Sequence, residues 1–205
     1  MRKLNLIFSL LLLFSVFMYS ESFANGKSPL LDTLKNIKTL EADFTQINKL
    51  QDFGEDTYVG KVYIRMKDIA LWDYTNPFKS WYLIDNNKLE NYDEINNQLL
   101  RISSKEISDH VLLQILTNID KITENFKALQ TDKETVELFP IKNNLPVKKI
   151  KILFENNIIS KVISTDNSGN ITTFIFKNIK IDKKIPNKVF KKKLPKDVTV
   201  FEPNM

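Results

Sequence analysis

The stretch TYVGKVYIRMKDIALWDYTNPFKSWYLIDNNKLENYDEINNQLLRI, residues 57–102, decides the fold of this chain. Short runs rich in β-branched and aromatic residues alternate there with turn residues such as Asp85-Asn86-Asn87 and Asn96-Asn97. Asparagine tolerates the left-handed backbone of tight turns that glycine would otherwise supply. The pattern therefore predicts an antiparallel meander. Its strands are expected at Thr57 to Met66, Ile69 to Tyr74, Ser80 to Ile84, Lys88 to Tyr92 and Gln98 to Ile102.

Strand-like segments continue on both sides of this stretch. One precedes it, from Thr39 to Leu50, and five follow it. The sequence Asp166-Asn167-Ser168-Gly169-Asn170 is a strong hairpin pattern between two of the later segments. Together with the meander, these segments predict about eleven strands. The five later strands are expected at Glu124 to Gln130, Thr135 to Phe139, Val147 to Phe154, Ile158 to Thr165 and Ile171 to Ile181.

Two amphipathic helices are predicted between the strands. The first covers Ser28 to Lys38, with Ser28 as N-cap, Pro29 in the first turn and an apolar face. The second begins near Ser103 or Ser104, where Ser103 and Glu106 fit a capping box. The apolar face of the first helix comprises Leu30, Leu34 and Ile37, and that of the second comprises Ile107, Val111, Leu112, Ile115, Leu116 and Ile119.

The predicted elements indicate a mainly β fold with some α structure. So many strands with only two helices favour one large curved antiparallel sheet or barrel over an α/β enzyme fold. The concave face of a curled sheet must be covered by apolar groups, so the two amphipathic helices are expected to cover it. No repeat, linker or domain boundary is evident, which predicts a single domain.

The first 24 residues have the layout of a secretory signal peptide. Arg2 and Lys3 precede an apolar run from Leu6 to Tyr19, and Ser22-Phe23-Ala24 ends the segment with small residues suited to signal peptidase. The run is shorter than the roughly 20 residues that span a bilayer, which favours cleavage after Ala24 over a retained membrane anchor. We expect a signal peptide at residues 1–24 and a mature domain at residues 25–205.

Composition excludes several classes of function. The chain has no cysteine and a single histidine, His110. A disulfide scaffold and thiol chemistry are therefore excluded, and zinc sites and histidine-based catalytic triads are disfavoured. Neither a metal nor a cofactor is expected. The small excess of basic over acidic residues suggests no partner by itself.

The order of short motifs along the chain carries a family resemblance. The motifs are Phe44-Thr45-Gln46, Gly60, Trp72-Asp73-Tyr74 with Pro77, Asp85-Asn86, Tyr92-Asp93, Gln98, then Asp166, Gly169 and Thr172, and finally Phe190, Pro195 and Asp197-Val198. They resemble the pattern F-T-Q, G, W-x-Y-x-x-P, D-G, Y-D and Q of the outer-membrane lipoprotein carrier (LolA) family. No single motif is specific, but their order and spacing are, and the resemblance covers essentially the whole mature chain.

The resemblance implies a fold and a function. The fold is an unclosed, or half, β-barrel whose concave apolar face is covered by helices. The function is that of a periplasmic chaperone that binds the acyl chains of lipoproteins released from the inner membrane and delivers them to the outer membrane. The implied partners are acylated lipoproteins as cargo, an inner-membrane lipoprotein-releasing ABC transporter complex and an outer-membrane lipoprotein receptor. The protein is then expected to be a monomer, not an enzyme, with no nucleic acid partner.

Strand alternation and the resemblance together select candidate site residues. Trp72 and Tyr74 share one face of a strand, and so do Val62 and Ile64. Ordinary core packing is the alternative for each of them, as it is for the apolar face of the second helix. The candidates for the cavity and its lid are Phe44, Val62, Ile64, Trp72, Tyr74, Leu112, Ile115 and Leu116.

One position departs from the family pattern. The family has an arginine followed by proline six residues after the glycine matched by Gly60, and this arginine is thought to couple cargo uptake to lid opening. Here Met66 and Lys67 occupy those positions, and Arg65 lies one residue earlier. A one-residue offset reverses the face of a strand, so Arg65 can replace the family arginine only if the strand is bulged there. Arg65 is the candidate lid switch, with a solvated surface charge as the alternative.

The segment from Lys177 to Lys196 contains nine lysines and one acidic residue, Asp182. A lysine-rich exposed edge strand is the interpretation that we favour, because lysines commonly protect sheet edges. Attraction to anionic lipid head groups or to an acidic docking surface is the alternative.

Two other functions remain open from the sequence. A half-barrel of this kind suits a lipid or lipopeptide sensor as well as a carrier, because fold does not define function. A hydrolase would have to use carboxylates only. Asp73, Asp85 and Asp93 are its candidates, but each is predicted at a strand end or turn, where aspartate is locally favoured.

Overall fold

The structure is a computed structural model that describes residues 28–85, 88–103, 120–142 and 144–203. Twelve strands and two α-helices are found in these ranges. The strands are β1 (Thr39–Leu50), β2 (Gly54–Arg65), β3 (Ile69–Asn76), β4 (Ser80–Asp85), β5 (Lys88–Asp93), β6 (Gln98–Ser103), β7 (Phe126–Gln130), β8 (Thr135–Pro140), β9 (Val147–Glu155), β10 (Ile158–Asp166), β11 (Ile171–Ile181) and β12 (Thr199–Phe201). The helices are α1 (Pro29–Lys35), α2 (Asp120–Asn125) and a 3-10 helix (Asn187–Phe190).

All twelve strands belong to one sheet in the order β12-β6-β5-β4-β3-β2-β1-β11-β10-β9-β8-β7. Neighbouring strands are antiparallel, except that β12 is parallel to β6. The outermost strands, β12 and β7, do not pair with each other, so the sheet is unclosed. This confirms the predicted fold class, a mainly β single sheet of the half-barrel type.

Several element boundaries differ from the prediction, among them the end of α1 at Lys35 instead of Lys38. The strand expected from Glu124 starts at Phe126, because Asp120–Asn125 is helical. β2 begins at Gly54, three residues before its predicted start. β12 was not predicted, because its three residues are too few to show a periodic pattern. The predicted second helix lies outside the described residues.

Helix α1 begins as predicted, with Ser28 as its N-cap. The Ser28 hydroxyl accepts a hydrogen bond from the Leu31 backbone N–H at 3.3 Å and donates one to Gln130 Oε1 at 2.9 Å. Leu30 and Leu34 of the predicted apolar face are buried. The N-cap therefore ties the start of α1 to the end of β7, while the apolar face packs on the sheet.

Alternating side chains of the strands form two separate apolar clusters, one on each face of the sheet. The inner cluster also receives side chains from α1 and α2. It consists of Leu30, Leu31, Leu34, Ile37, Leu40, Ala42, Phe44, Val62, Ile64, Ala70, Trp72, Tyr74, Ile84, Leu89, Ile122, Phe126, Val136, Leu138, Val147, Ile150, Ile152, Phe154, Ile159, Val162, Phe174 and Phe176. The outer cluster consists of Leu71, Trp81, Leu83, Tyr92, Leu99, Ile185 and Phe190.

The C-terminal segment after β11 forms the cover of the outer cluster. Ile185 and Phe190 are buried there, with Leu194 and Val198 packed beside them. The interpretation of the lysine-rich region as an exposed edge strand is wrong. β11 lies between β1 and β10 in the middle of the sheet, and the lysines after it belong to this covering segment. Their apolar neighbours face the sheet, which leaves most of the lysines towards solvent.

None of the helices in the described ranges is long and apolar enough to cross a membrane.

Candidate functional site

The structure brings the five strand candidates together in the inner cluster. Phe44, Val62, Ile64, Trp72 and Tyr74 are all less than a tenth exposed. Strand pairing places them side by side, because Val62 is opposite Trp72 across β2 and β3. Alternation along each strand then keeps their side chains on the same face.

Gly60 allows β1 and β3 to pack closely on β2. It lies opposite Phe44 in the pairing of β1 with β2, and the register of β2 with β3 shifts between Val59 and Gly60. A Cβ atom at Gly60 would lie 2.2 Å from the Asp73 carbonyl oxygen and 2.8 Å from Phe44 Cζ. Glycine is therefore required at this position, first because the β3 backbone at Asp73 leaves no room for a Cβ atom and second because the Phe44 ring also lies close.

Aromatic rings form the wall of the inner cluster around Trp72. The Trp72 ring centroid is 5.2 Å from that of Phe44 and 5.0 Å from that of Phe174. Phe174 in turn stacks on Phe176 with an angle of 7° between the ring planes. The rings that form this wall around Trp72 are apolar.

A polar group borders the wall where β1 and β3 meet. Tyr74 Oη donates a hydrogen bond to Gln46 Oε1 at 2.6 Å, and Gln46 Nε2 donates to Asn48 Oδ1 at 2.9 Å. The rings of Tyr58 and Tyr82 lie edge-on to that of Tyr74. Burial raises the pKa of the Tyr74 phenol well above its ordinary value, so Tyr74 stays a neutral donor.

The hydrogen bond from Tyr74 gives Gln46 of the Phe44-Thr45-Gln46 motif a structural role. The alternation that placed Phe44 on the inner face also applies to Gln46 two residues later. This alternation could have predicted that Gln46 lies on the same face as Tyr74. It could not have predicted the hydrogen bond between them.

Side chains from the two described helices cover the inner cluster. Leu30, Leu31 and Leu34 come from α1, and Ile122 comes from α2. Lys67 in the β2–β3 turn forms an ion pair with Asp120 at the start of α2, with 2.5 Å between Nζ and Oδ2. The three lid candidates Leu112, Ile115 and Leu116 lie outside the described residues, so their role stays a prediction.

Arg65 and Met66 lie on opposite faces of the sheet. Met66 packs against the inner cluster. Arg65 Nη1 donates a hydrogen bond to Asn187 Oδ1 at 2.6 Å, and the guanidinium lies 4.8 Å from the centre of the Phe190 ring. Arg65 Nε is 3.0 Å from Asp68 Oδ2, an ion-pair distance without hydrogen-bond geometry.

The pairing of β1 with β2 runs without a shift from Thr39 opposite Arg65 to Leu50 opposite Gly54. No bulge therefore turns Arg65 towards the inner face. Its described partners belong to the C-terminal segment and the β2–β3 turn. Its role as a lid switch stays a prediction, because the candidate lid lies outside the described residues.

The three carboxylates considered for catalysis are each engaged in local structure. Asp73 Oδ1 accepts a hydrogen bond from Lys192 Nζ at 2.7 Å. Asp85 and Asp93 accept hydrogen bonds from the backbone N–H groups of Lys88 and Ile95, at 2.9 and 2.8 Å. Across the residues that the structure describes, no group of three or more acidic or histidine side chains could hold a metal ion.

The matching family model and the relatives in sequence carry the same family description. Residues 35–193 match the family model described as outer membrane lipoprotein carrier protein LolA. An outer-membrane lipoprotein carrier protein of Francisella philomiragia is 30% identical over 98% of both chains. One from Pseudoalteromonas translucida is 25% identical over 98% of this chain and 97% of its own. The fold is similar to that of an uncharacterized conserved protein from Thermus thermophilus, with a TM-score of 0.52 at 13% identity, covering 85% of this chain and 97% of that one.

Proposed function

Since this chain belongs to the LolA family of outer membrane lipoprotein carrier proteins, we propose that it binds the acyl chains of lipoproteins released from the inner membrane, shields them in the periplasm and delivers them to the outer membrane. The observation that carries this proposal is the inner apolar cluster, which extends across β1–β5 and β7–β11. Each buried methylene group gains about 0.8 kcal/mol, so an exposed acyl chain needs such a surface to cross water.

Release of cargo requires a cover that separates from the sheet. Helix α1 has seven residues and packs on the sheet through the side chains of Leu30, Leu31 and Leu34. Helix α2 is held more firmly, because it continues directly into β7 and the Asn125 carbonyl accepts a hydrogen bond from the Ile141 backbone N–H at 2.9 Å. Of the two, α1 is therefore the part of the cover that can move away while the sheet stays intact. The ion pair of Lys67 with Asp120 is exposed and stabilises the covered state only weakly. We include Leu112, Ile115 and Leu116 in this cover and keep Arg65 as its candidate switch.

The family is one of transport proteins and not of enzymes. Acylated lipoproteins are the cargo of our proposal. An inner-membrane ABC transporter complex would load the carrier, and an outer-membrane receptor would accept the cargo. Nucleic acid has no part in this cycle.

Export to the periplasm is proposed to depend on residues 1–24. Cleavage after Ala24 would leave Asn25 as the first residue of the mature protein. The intact mass of protein recovered from the periplasm checks this directly. A mass that retains residues 1–24 would contradict cleavage and favour an anchored protein.

Native mass spectrometry of the mature protein tests the carrier proposal. Protein recovered from the periplasm under mild conditions should contain bound lipid or lipoprotein. Depletion of the protein should leave lipoproteins in the inner membrane. Absence of co-purified lipid together with normal lipoprotein sorting would refute a carrier, whereas bound lipid with normal sorting would favour a sensor.

Two matched variants on one strand locate the binding face. Val62 lies on the inner face of β2, and Val59 lies on the outer face of the same strand. Val62→Thr and Val59→Thr keep the branched shape of the side chain and replace one methyl group with a hydroxyl group. We expect Val62→Thr to lower the amount of bound lipid and Val59→Thr to leave it unchanged. An equal effect of both variants would contradict binding on the inner face.

A further inference from the structure

Among the residues that the structure describes, none forms a hydrogen bond with the indole N–H of Trp72, although this residue is 0% exposed. Buried polar groups are almost always hydrogen-bonded, and each exception needs an explanation. The indole group is a donor only, so it can be satisfied only by an acceptor atom. Trp72 therefore holds an unused donor inside the inner cluster.

The surroundings of Trp72 explain why the protein does not satisfy this donor. The rings closest to it belong to Phe44, Phe174 and Phe176, which carry no acceptor atom. Val62, opposite Trp72 on β2, is aliphatic. Bulk water does not reach the side chain, because Trp72 is fully buried.

We propose that the Trp72 indole N–H donates a hydrogen bond to a carbonyl oxygen of the acyl groups on the cargo, either ester or amide. This inference rests on the proposed carrier function and adds a specificity-determining residue to it. Every acyl chain begins at a carbonyl group, so this oxygen is the acceptor that necessarily accompanies an acyl chain into the inner cluster. A hydrocarbon chain without a carbonyl fills the same space and leaves the donor unsatisfied.

The hydrogen bond would give the protein selectivity for acyl over alkyl chains. A site built to hydrogen-bond a ligand discriminates against an analogue that lacks the matching group, because the buried partner is then left unpaired. The aromatic wall itself cannot make this distinction, since it contacts acyl and alkyl chains alike. Trp72 would also set the depth of the chain by fixing its carbonyl end.

Two synthetic lipopeptides of equal chain length test this inference. One carries a dipalmitoylglyceryl-cysteine with ester links, and the other carries the corresponding dialkyl ether, which has no carbonyl in its chains. We expect the wild-type protein to bind the ester form about three- to tenfold more tightly, the range of one net hydrogen bond. Trp72→Phe should bind both lipopeptides equally. The matched control, Trp81→Phe in the outer cluster, should keep the wild-type preference.

Nuclear magnetic resonance gives a second measurement that does not depend on the folding of Trp72→Phe. The chain has two tryptophans, so two indole N–H signals are expected and the spectrum of Trp81→Phe assigns them. The Trp72 signal should move downfield when the ester lipopeptide binds, and less with the ether. Equal affinities and equal shifts for the two ligands would overturn the role of Trp72 while leaving the carrier function intact. Failure of the wild-type protein to bind either lipopeptide would overturn both.

Discussion

At the scale of single residues, the inner face depends on the contact of Phe44 with the backbone of Gly60. Phe44 also packs edge-on against Trp72 and Tyr74, with centroid distances of 5.2 and 4.9 Å. One ring thus connects β1 to β2 and β3. Any side chain at position 60 would have to displace it.

Gly60→Ala is expected to destabilise the protein by about 2 kcal/mol or more, since overpacking of a core typically costs this much. The added Cβ would meet the Asp73 carbonyl oxygen, which is backbone and cannot rotate away. Urea unfolding measures the change. Gly54→Ala is the comparison, because a Cβ there has open space but the backbone φ is +91°. Its cost should be about 1 kcal/mol and arise from backbone strain alone. A smaller loss for Gly60→Ala than for Gly54→Ala would contradict the packing argument.

Tyr74→Phe is expected to destabilise the protein by about 1 kcal/mol at neutral pH, because it removes the hydrogen bond to Gln46. Burial raises the pKa of Tyr74 in the folded protein, whereas a tyrosine in the unfolded chain titrates near about 10. The stability that Tyr74 contributes is therefore complete below about pH 10 and is lost as the pH rises towards the folded pKa.

The difference in unfolding free energy between wild type and Tyr74→Phe should narrow above about pH 10, by up to about 1.4 kcal/mol per pH unit. Urea unfolding at a series of alkaline pH values measures it. A difference that stays constant would show that the phenol is not protected from ionisation by burial.

Alternation along strands is sufficient to predict which single residues face the inner cluster. Val62, Trp72 and Tyr74 lie on the inner face as the period of two requires. The hydrogen bond of Tyr74 to Gln46 could not be predicted, because it joins residues 28 positions apart. The contact of Arg65 with Asn187 spans 122 positions and depends on the path of the C-terminal segment.

At the scale of elements, the C-terminal segment after β11 covers the outer cluster, as the helices cover the inner cluster. It is held to the sheet by Phe190 in the outer cluster, by the hydrogen bond of Arg65 to Asn187 and by that of Lys192 to Asp73. It ends in β12, which pairs with β6. The segment therefore shields apolar residues that would otherwise face water on the convex side.

Phe190→Ala is expected to destabilise the protein by about 3 kcal/mol, the usual cost of removing a buried phenylalanine ring. The ring is 6% exposed and also lies beneath the Arg65 guanidinium. Lys193→Ala, at an exposed position of the same segment, should change stability by less than about 0.5 kcal/mol. Urea unfolding of both variants measures the contrast. Equal stabilities would mean that the segment does not pack on the sheet.

At the scale of the whole molecule, the twelve described strands form a sheet whose outermost members are β12 and β7. These strands have three and five residues. Short edge strands offer few unpaired backbone groups to another chain. The sheet is therefore not closed into a barrel, but its short edge strands are poorly suited to pairing with the edge of a second copy.

We expect the mature protein to be a monomer, because its short edge strands offer a second copy little backbone to pair with. Light scattering after size-exclusion chromatography should give a mass below the 24.0 kDa of the full chain. This mass should not change with protein concentration. A mass near twice that value would contradict the monomer and point to pairing through one of the edges.

The sequence by itself determined the β-rich meander, its hairpin turns, the face on which each strand candidate lies and the start of α1 at Ser28. These properties follow from periods of two and from turn and capping residues, which act over a few neighbouring positions.

Only the tertiary structure decided that the lysine-rich segment after β11 covers the outer cluster and that Arg65 faces this segment. It also decided that β12 joins the sheet and that the Trp72 indole N–H has no hydrogen-bond partner among the described residues. Each of these depends on contacts between residues far apart in the chain. Such contacts form only after the curved sheet has brought these residues close together. A pattern of neighbouring residues therefore cannot predict them.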